Sequence, residues 1–224
     1  MKIAIIDYKA GNIRSVIFAL ERLGVQPILT ADVETILSAD KVIFPGQGEA
    51  SSAMRNLRER GLDKLIPNLK QPFLGVCVGM QLLCDYSEEN DTPCLGVIPQ
   101  RVLKFPTHTP PSVLESKVLE NRFKVPQVGW NKLNMGNEQL EIGNEQLAIG
   151  NNEPSILSPD LNDQWFYFVH SYYVEKGEYT TATAEYGVEF SACLKKDNFH
   201  AAQFHPEKSS VHGEQLIRNF LEKC

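Results

Sequence analysis

The chain has 224 residues, 42% of them apolar, or about 46% once glycine is counted in place of tyrosine. That is ordinary globular composition, which excludes a disordered or fibrous chain, and the length suits one α/β domain over residues 1–224 that can bury roughly 70% of its unfolded surface. A net charge of −6 without a basic run argues against nucleic-acid binding. No apolar run approaches the ~18 residues of a membrane span, and the opening apolar stretch is cut off by Asp7, so a cytoplasmic chain with no membrane contact is expected.

The elements alternate in type along the first half. A short apolar strand over residues 2–7 leads through a turn at 9–12 into an amphipathic helix over about 13–23. Val16, Ile17, Leu20 and Leu23 share one face of that helix, and Gly24 stands where a C-terminal cap belongs. A strand (27–29), a short helix (33–37), a strand (41–44) and the loop Pro45-Gly46-Gln47-Gly48 follow. A helix over about 51–59, a further helical stretch ending before Pro72, a strand (73–76) and a helix near 78–84 complete this part. Strands alternating with helices predict a mostly parallel sheet with helices on both faces, a three-layer α/β fold whose ligands bind at the carboxyl ends of the strands.

The second half changes character. Strands are expected over 97–105, 124–133, 165–173, 180–185, 190–195 and 199–204, with little helix before a closing one over 214–222. We read these as an antiparallel extension plus a last parallel strand. Between them, Gly136–Ile142 repeats as Gly143–Ile149 and then in part through Glu153. Two and a half copies of seven residues are too few for a solenoid, so 136–153 is expected to be a surface insertion without a chemical role.

The five cysteines, Cys77, Cys84, Cys94, Cys193 and Cys224, are odd in number and scattered, with no CxxC. Neither disulfide nor zinc site is expected, and no metal or cofactor is called for. One of them stands out. Gly75-Val76-Cys77-Val78-Gly79 follows an apolar strand and precedes a helix, the strand–nucleophile–helix arrangement of G-x-S-x-G with sulfur in place of oxygen. Flanking glycines let the backbone turn sharply, and a helix starting at Val78 offers unpaired N–H groups beside the sulfur. A thiolate nucleophile needs an imidazole within reach, and the imidazole needs a carboxylate to fix its orientation. Gln203-Phe204-His205-Pro206-Glu207 supplies both at the end of a strand. His108 lies in a Pro/Thr loop, His200 and His212 flank this segment, and His170 ends an apolar run. His205 is therefore the expected base.

The ordered set of these motifs resembles the class I (triad) glutamine amidotransferases. Met80-Gln81 after the elbow, the PQVGWN stretch at 126–131, the FYFVHSYY stretch at 166–173 and His205-Pro206-Glu207-Lys208-Ser209 narrow the resemblance to the glutaminase subunits of imidazole glycerol phosphate synthase. It covers essentially the whole chain. It implies that Cys77 attacks the side-chain amide of L-glutamine, giving a γ-glutamyl thioester and ammonia, with His205 moving the proton and Glu207 orienting it. It further implies an oxyanion hole from the Val78 N–H and an N–H of Gln47 or Gly48. Glutamine would be gripped near Gly48, Gln81, His170, Ser171 and Tyr172. Trp130, Asn131, Tyr167 and Lys208 would face the partner and the ammonia route. The implied partner is the cyclase subunit, a (β/α)8 barrel, in a heterodimer that makes imidazole glycerol phosphate and AICAR in histidine biosynthesis.

The chain departs from the family pattern at Gln47, where valine is usual, at Val78, where leucine is common, at Gln127 and Val128, and in the 136–153 insertion. Three other readings are weaker. Glutaminase components of anthranilate or aminodeoxychorismate synthase tend to carry His where this chain has Met80, and they lack GWN. An intracellular cysteine hydrolase of the protease type usually has its base directly after the Cys, where this chain has Val78. A catalytically dead binding module would have no reason to keep Cys77, His205 and Glu207 together.

Overall fold

The structure, a computed structural model, describes residues 1–9, 13–106, 124–136 and 154–224. Most of the 9–12 turn, His108 and the 136–153 repeat beyond Gly136 lie outside these residues. Thirteen strands are described: β1 (Ile3–Ile6), β2 (Ile28–Thr30), β3 (Lys41–Phe44), β4 (Phe73–Val76), β5 (Cys84–Ser87), β6 (Thr92–Pro93), β7 (Ile98–Lys104), β8 (Gln127–Lys132), β9 (Trp165–His170), β10 (Tyr172–Val174), β11 (Thr180–Glu185), β12 (Glu189–Lys196) and β13 (Phe199–Ala202). The described helices are α1 (Arg14–Arg22), α2 (Val33–Leu37), α3 (Ala50–Glu59), α4 (Leu62–Leu65), α5 (Val78–Leu83) and α6 (Ser210–Lys223).

The main sheet runs β2-β1-β3-β4-β13-β12-β10-β7-β5-β6, with β11 paired to β12. Its first five strands are parallel, and β12, β10 and β7 continue it antiparallel. Every residue of β1, β3, β4 and β13 is buried. That explains why these strands read as unbroken apolar runs rather than alternating ones: a parallel sheet is covered on both faces. Leu74 and Val76 meet Val16 and Leu20 of α1 and Ile217 of α6 on one face. Gly75 faces Gly79 and Leu83 of α5 on the other. The expected three layers are present. The rings of Phe44, Phe73 and Phe199 run across β3, β4 and β13 at centroid separations of 5.9 and 5.1 Å, and each such pair adds about 0.5–1.5 kcal/mol beyond its buried area. No described helix is long and apolar enough to cross a membrane.

Several elements differ from the sequence reading. The run over 165–173 is two strands: β9 pairs only with β8 in a separate two-stranded ribbon, while β10 joins the main sheet. The break falls at Ser171, whose carbonyl is taken by the Phe105 N–H at 3.1 Å. The helix after the elbow stops at Leu83 because residues 95–97 cap it, donating to the carbonyls of Leu82, Leu83 and Cys84 at 2.9 Å. That releases Cys84 into β5, a strand the sequence reading did not include. The last strand ends at Ala202 rather than 204, and the closing helix begins at Ser210, four residues early.

Candidate active site

Three neighbouring parallel strands, β3, β4 and β13, deliver their carboxyl ends to one place. The Pro45–Gly48 loop follows β3, Cys77 follows β4, and His205 lies three residues beyond β13. The Cys77 N–H donates to the Ala202 carbonyl at 2.7 Å, extending the β4–β13 ladder by one rung. The chain then turns at Cys77 with φ 52° and ψ −111°, a conformation that costs a non-glycine residue on the order of 1–3 kcal/mol and is held by its surroundings. The glycines of the motif explain how. A Cβ on Gly79 would overlap the Phe44 carbonyl, and one on Gly46 would overlap the elbow backbone at Val76, Val78 and Gly79. The end of β3 and the elbow therefore touch backbone to backbone. Gln47 and Gly48, next in the chain, line the same cavity as Cys77. The buried Tyr8 hydroxyl secures the same loop by donating to the Pro45 carbonyl at 2.7 Å. Burial, and then the nearby Cys77, push that phenol far above its ordinary value, opposed by the Gln47 backbone N–H.

His205 is held at both ends. Its N–H donates to the Tyr167 carbonyl at 2.9 Å. Its carbonyl accepts from the Ser209 hydroxyl at 2.7 Å, and that hydroxyl in turn accepts the Tyr167 N–H at 3.0 Å. Nδ1 lies 2.9 Å from Glu207 Oε1, with both side chains 4% exposed. The two residues do not meet through an extended strand, as their spacing suggested. Residues Pro206–Lys208 form a 3-10 turn that folds the carboxylate back under the ring. Burial pushes the imidazole down, but hydrogen bonds and charge from Cys77 and Glu207 outweigh it and raise it to about 10. The imidazolium is therefore the favoured form beside the sulfur at neutral pH.

These groups line a cavity of about 420 Å³. Of the residues singled out in the sequence, Gln47, Gly48, Val78 and Gln81 lie on its walls together with Cys77 and His205. His170, Ser171, Tyr172 and Lys208 complete that set, and Glu207 stands behind His205. His170 is buried; its Nδ1 lies 2.7 Å from the Tyr172 carbonyl, and Nε2 has no described partner. Burial lowers it to about 4, with the Tyr172 carbonyl opposing and His205 reinforcing. It is a neutral imidazole that anchors the 170–172 turn.

Trp130, Asn131 and Tyr167 lie away from the cavity on the β8–β9 ribbon. Trp130 pairs with Tyr167, ring centroids 5.9 Å apart, and with Val128 and Trp165 it leaves about half of its surface exposed. Asn131 does not share that face; its amide donates to the Glu185 carbonyl at 2.8 Å. Sequence reasoning passed over Glu89, Gln203 and Trp165. Glu89 is a half-buried carboxylate on the cavity wall, pushed upward chiefly by burial and steadied by the Ala50 N–H at 2.7 Å. Nothing local marks it, because Glu88 beside it is identical in type and exposed. Gln203 did carry a signal, since it lies within the His205 motif.

The chain is similar to known proteins along essentially its whole length. The Glutamine amidotransferase class-I family matches over residues 4–224. An imidazole glycerol phosphate synthase subunit HisH from Bacteroides fragilis is 46% identical, covering 99% of this chain and all of its own. The proteins of the same description from Bacteroides thetaiotaomicron and Haemophilus influenzae are 45% and 40% identical, over 99% and 100% of this chain and 100% and 98% of theirs. A solved glutamine amidotransferase superposes with a TM-score of 0.65 at 19% identity, covering 98% of this chain and 97% of its own, a likeness of fold.

Proposed function

The chain belongs to the class I glutamine amidotransferase family, and from that premise we propose that it is the glutaminase subunit of an imidazole glycerol phosphate synthase. In this reading it hydrolyses L-glutamine to glutamate and passes the ammonia to a cyclase partner in histidine biosynthesis. The observation that carries the chemistry is the buried Cys77–His205–Glu207 line at the mouths of three adjacent strands. The curated relatives carry the assignment of pathway. Residues 1–224 act as one amidotransferase domain, in the cytoplasm.

The geometry supports the following steps. The Cys77 thiolate attacks the amide carbon of glutamine, and the carbonyl electrons move onto oxygen. We assign that oxyanion to the Val78 N–H and an N–H of the Gln47–Gly48 segment, residues that line the cavity with Cys77. Removing one such donor costs about 10²–10³-fold in rate. The His205 imidazolium gives its proton to the departing nitrogen, the C–N bond breaks, and ammonia leaves a thioester on Cys77. His205, now neutral, takes a proton from water as the hydroxide attacks the thioester. Collapse returns the thiolate and releases glutamate. Glu207 keeps the proton of His205 on Nδ1 so that Nε2 faces the sulfur. Glutamine carries an ammonium and a carboxylate at its other end. Glu89 supplies the opposing charge for the ammonium, and the Ser171–Tyr172 backbone with Gln81 grips the rest.

The half-exposed aromatic face of the β8–β9 ribbon, Val128, Trp130 and Trp165, is the surface offered to the partner, with Lys208 at the cavity rim on the ammonia route. The test pairs two nitrogen sources. With the cyclase subunit and its ribonucleotide substrate present, Cys77→Ala abolishes glutamine-dependent product formation but leaves synthesis from added ammonium intact. Glutamine turnover by the Ala variant refutes the catalytic assignment. Wild-type turnover that ignores the cyclase and its ligand refutes the choice of synthase.

A further inference from the structure

Gln203 has no part in the chemistry above, yet both ends of its side-chain amide are engaged beside the nucleophile. It is fully buried. Its Nε2 lies 3.7 Å from Cys77 Sγ. Its Oε1 accepts from Gln81 Nε2 at 2.9 Å, and the same Gln81 nitrogen donates to the Tyr172 carbonyl at 2.8 Å. A backbone carbonyl can only accept, so Tyr172 settles which end of the Gln81 amide faces inward. The Gln81 NH2 can only donate, so Gln203 must turn its oxygen toward Gln81 and its NH2 toward the sulfur. Reversing Gln203 would set two NH2 groups against each other and an amide oxygen against the sulfur. The amide is locked.

A locked N–H distinguishes the two forms of the sulfur. As a thiol, Cys77 donates to the Val169 carbonyl at 3.7 Å. As a thiolate it faces that carbonyl with no proton to give, and it gains only from donors. We propose that Gln203 is a positioning residue of this site: its amide, oriented by Gln81, favours the anionic form of Cys77 and ties the nucleophile to the wall that grips the substrate. Because both protons of Gln81 Nε2 are committed to Tyr172 and Gln203, its Oε1 is the atom it has left for the cavity it lines. The state of the sulfur and the presentation of Gln81 to glutamine are thus set by one hydrogen-bonded chain.

This inference rests on the glutaminase reading only for the identity of the substrate, and its deciding measurement needs neither glutamine nor a partner. Alkylation of Cys77 by iodoacetamide, followed across pH by mass spectrometry of the Cys77 peptide in the full chain, reports the fraction present as thiolate. In Gln203→Met the midpoint of that profile rises by about one pH unit, the scale of one weak charge-assisted hydrogen bond. With the cyclase and its ligand present, glutamine kcat at neutral pH falls and is recovered at higher pH, while KM rises because Gln81 loses the acceptor that holds its amide. Gln203→Glu, which keeps the shape but places a carboxylate at the sulfur, moves the midpoint further the same way and serves if the Met variant does not fold. A purely structural role lowers activity at every pH without moving the midpoint. An unchanged midpoint in a folded variant overturns the proposal, whatever is found for glutamine turnover in the wild type.

Discussion

Replacing Glu207 by Gln tests how the site keeps its imidazole in the working tautomer. Glu207 Oε1 sits 2.9 Å from His205 Nδ1, while Oε2 is buried without a partner. The wall beside the Glu207 side chain is apolar, formed by Val16, Leu20, Leu74, Val76 and Ile217. A glutamine amide has two ways to fit there, and both are poor. With its oxygen on Nδ1–H, the tautomer is kept but the NH2 enters the apolar wall with no acceptor. Turned over, the NH2 donates to Nδ1, the ring proton moves to Nε2, and His205 can no longer take a proton from Cys77. In either case the charge that steadies the imidazolium is gone. A hydrogen bond to a charged group is worth about 1.5–3 kcal/mol, or roughly 10–150-fold in rate at 1.4 kcal/mol per decade. Glu207→Gln therefore slows thioester formation by about that factor with little change in KM. His205→Ala loses the proton shuttle as well, and general acid–base catalysis contributes about 10²–10⁴-fold.

The same substitution changes the response to pH. Burial pushes His205 down, and Cys77 and Glu207 lift it to about 10. A histidine raised in the folded state contributes stability that is complete below about 6.5 and is lost as pH rises toward its folded value. Wild type thus loses stability between about pH 6.5 and 10, and Glu207→Gln loses less there because its imidazolium is less favoured. Single-turnover thioester formation and urea unfolding at pH 6 and 9 are the measurements. Equal rate losses for Glu207→Gln and His205→Ala, or an identical pH dependence of stability, refute the argument.

Gly79→Ala drives a methyl into the Phe44 carbonyl, where no flexible side chain can yield. It lowers stability by about 1–3 kcal/mol, the scale of core overpacking, and slows glutamine turnover further by displacing Cys77, measured by thermal melting beside steady-state rates. His170 and His200 are each held near 4, chiefly by burial. Stability therefore falls as pH drops from about 6.5 toward 4, with a slope reaching about 2.7 kcal/mol per pH unit for two protons, and His200→Gln halves that slope in acid denaturation. Trp130→Ala weakens cyclase binding by about 2 kcal/mol, the scale of an aromatic anchor, measured by calorimetry, and leaves thiol alkylation of the isolated chain unchanged.

What was legible in the sequence was what is local. The elbow announces itself because two glycines are needed within five residues for the turn, and β1, β3, β4 and β13 read as strands because burial on both faces removes polar alternation. The split of 165–173 was not legible. Trp165–Val174 is a continuous β-prone stretch, and its break is enforced from outside, by Phe105 on the Ser171 carbonyl and by Gln81 and His170 on that of Tyr172. Glu89 became visible only as a wall of the cavity. The pairing of His205 with Glu207 was expected correctly but for an insufficient reason, since a 3-10 turn rather than a strand brings them together.

The register of β13 against β4 explains why the site tolerates little variation in how it is assembled. Ala202 lies opposite Val76, and the Cys77 N–H closes on the Ala202 carbonyl. From that rung, Gln203 is one residue on, with its Nε2 3.7 Å from the sulfur, while His205 is three residues on and hydrogen-bonds to the Cys77 side chain. A slip of one residue would reverse which side chains of β13 face which layer. Phe204, now fully buried and stacked 4.3 Å from Phe166, would then exchange places with Gln203, burying an amide among rings and aiming a phenyl group at Cys77. The aromatic core under β9 therefore sets the register, and the register sets the chemistry. Packing residues such as Phe204 and Phe166 are accordingly expected to affect the rate through the position of His205 and Gln203, even though neither ring touches the cavity.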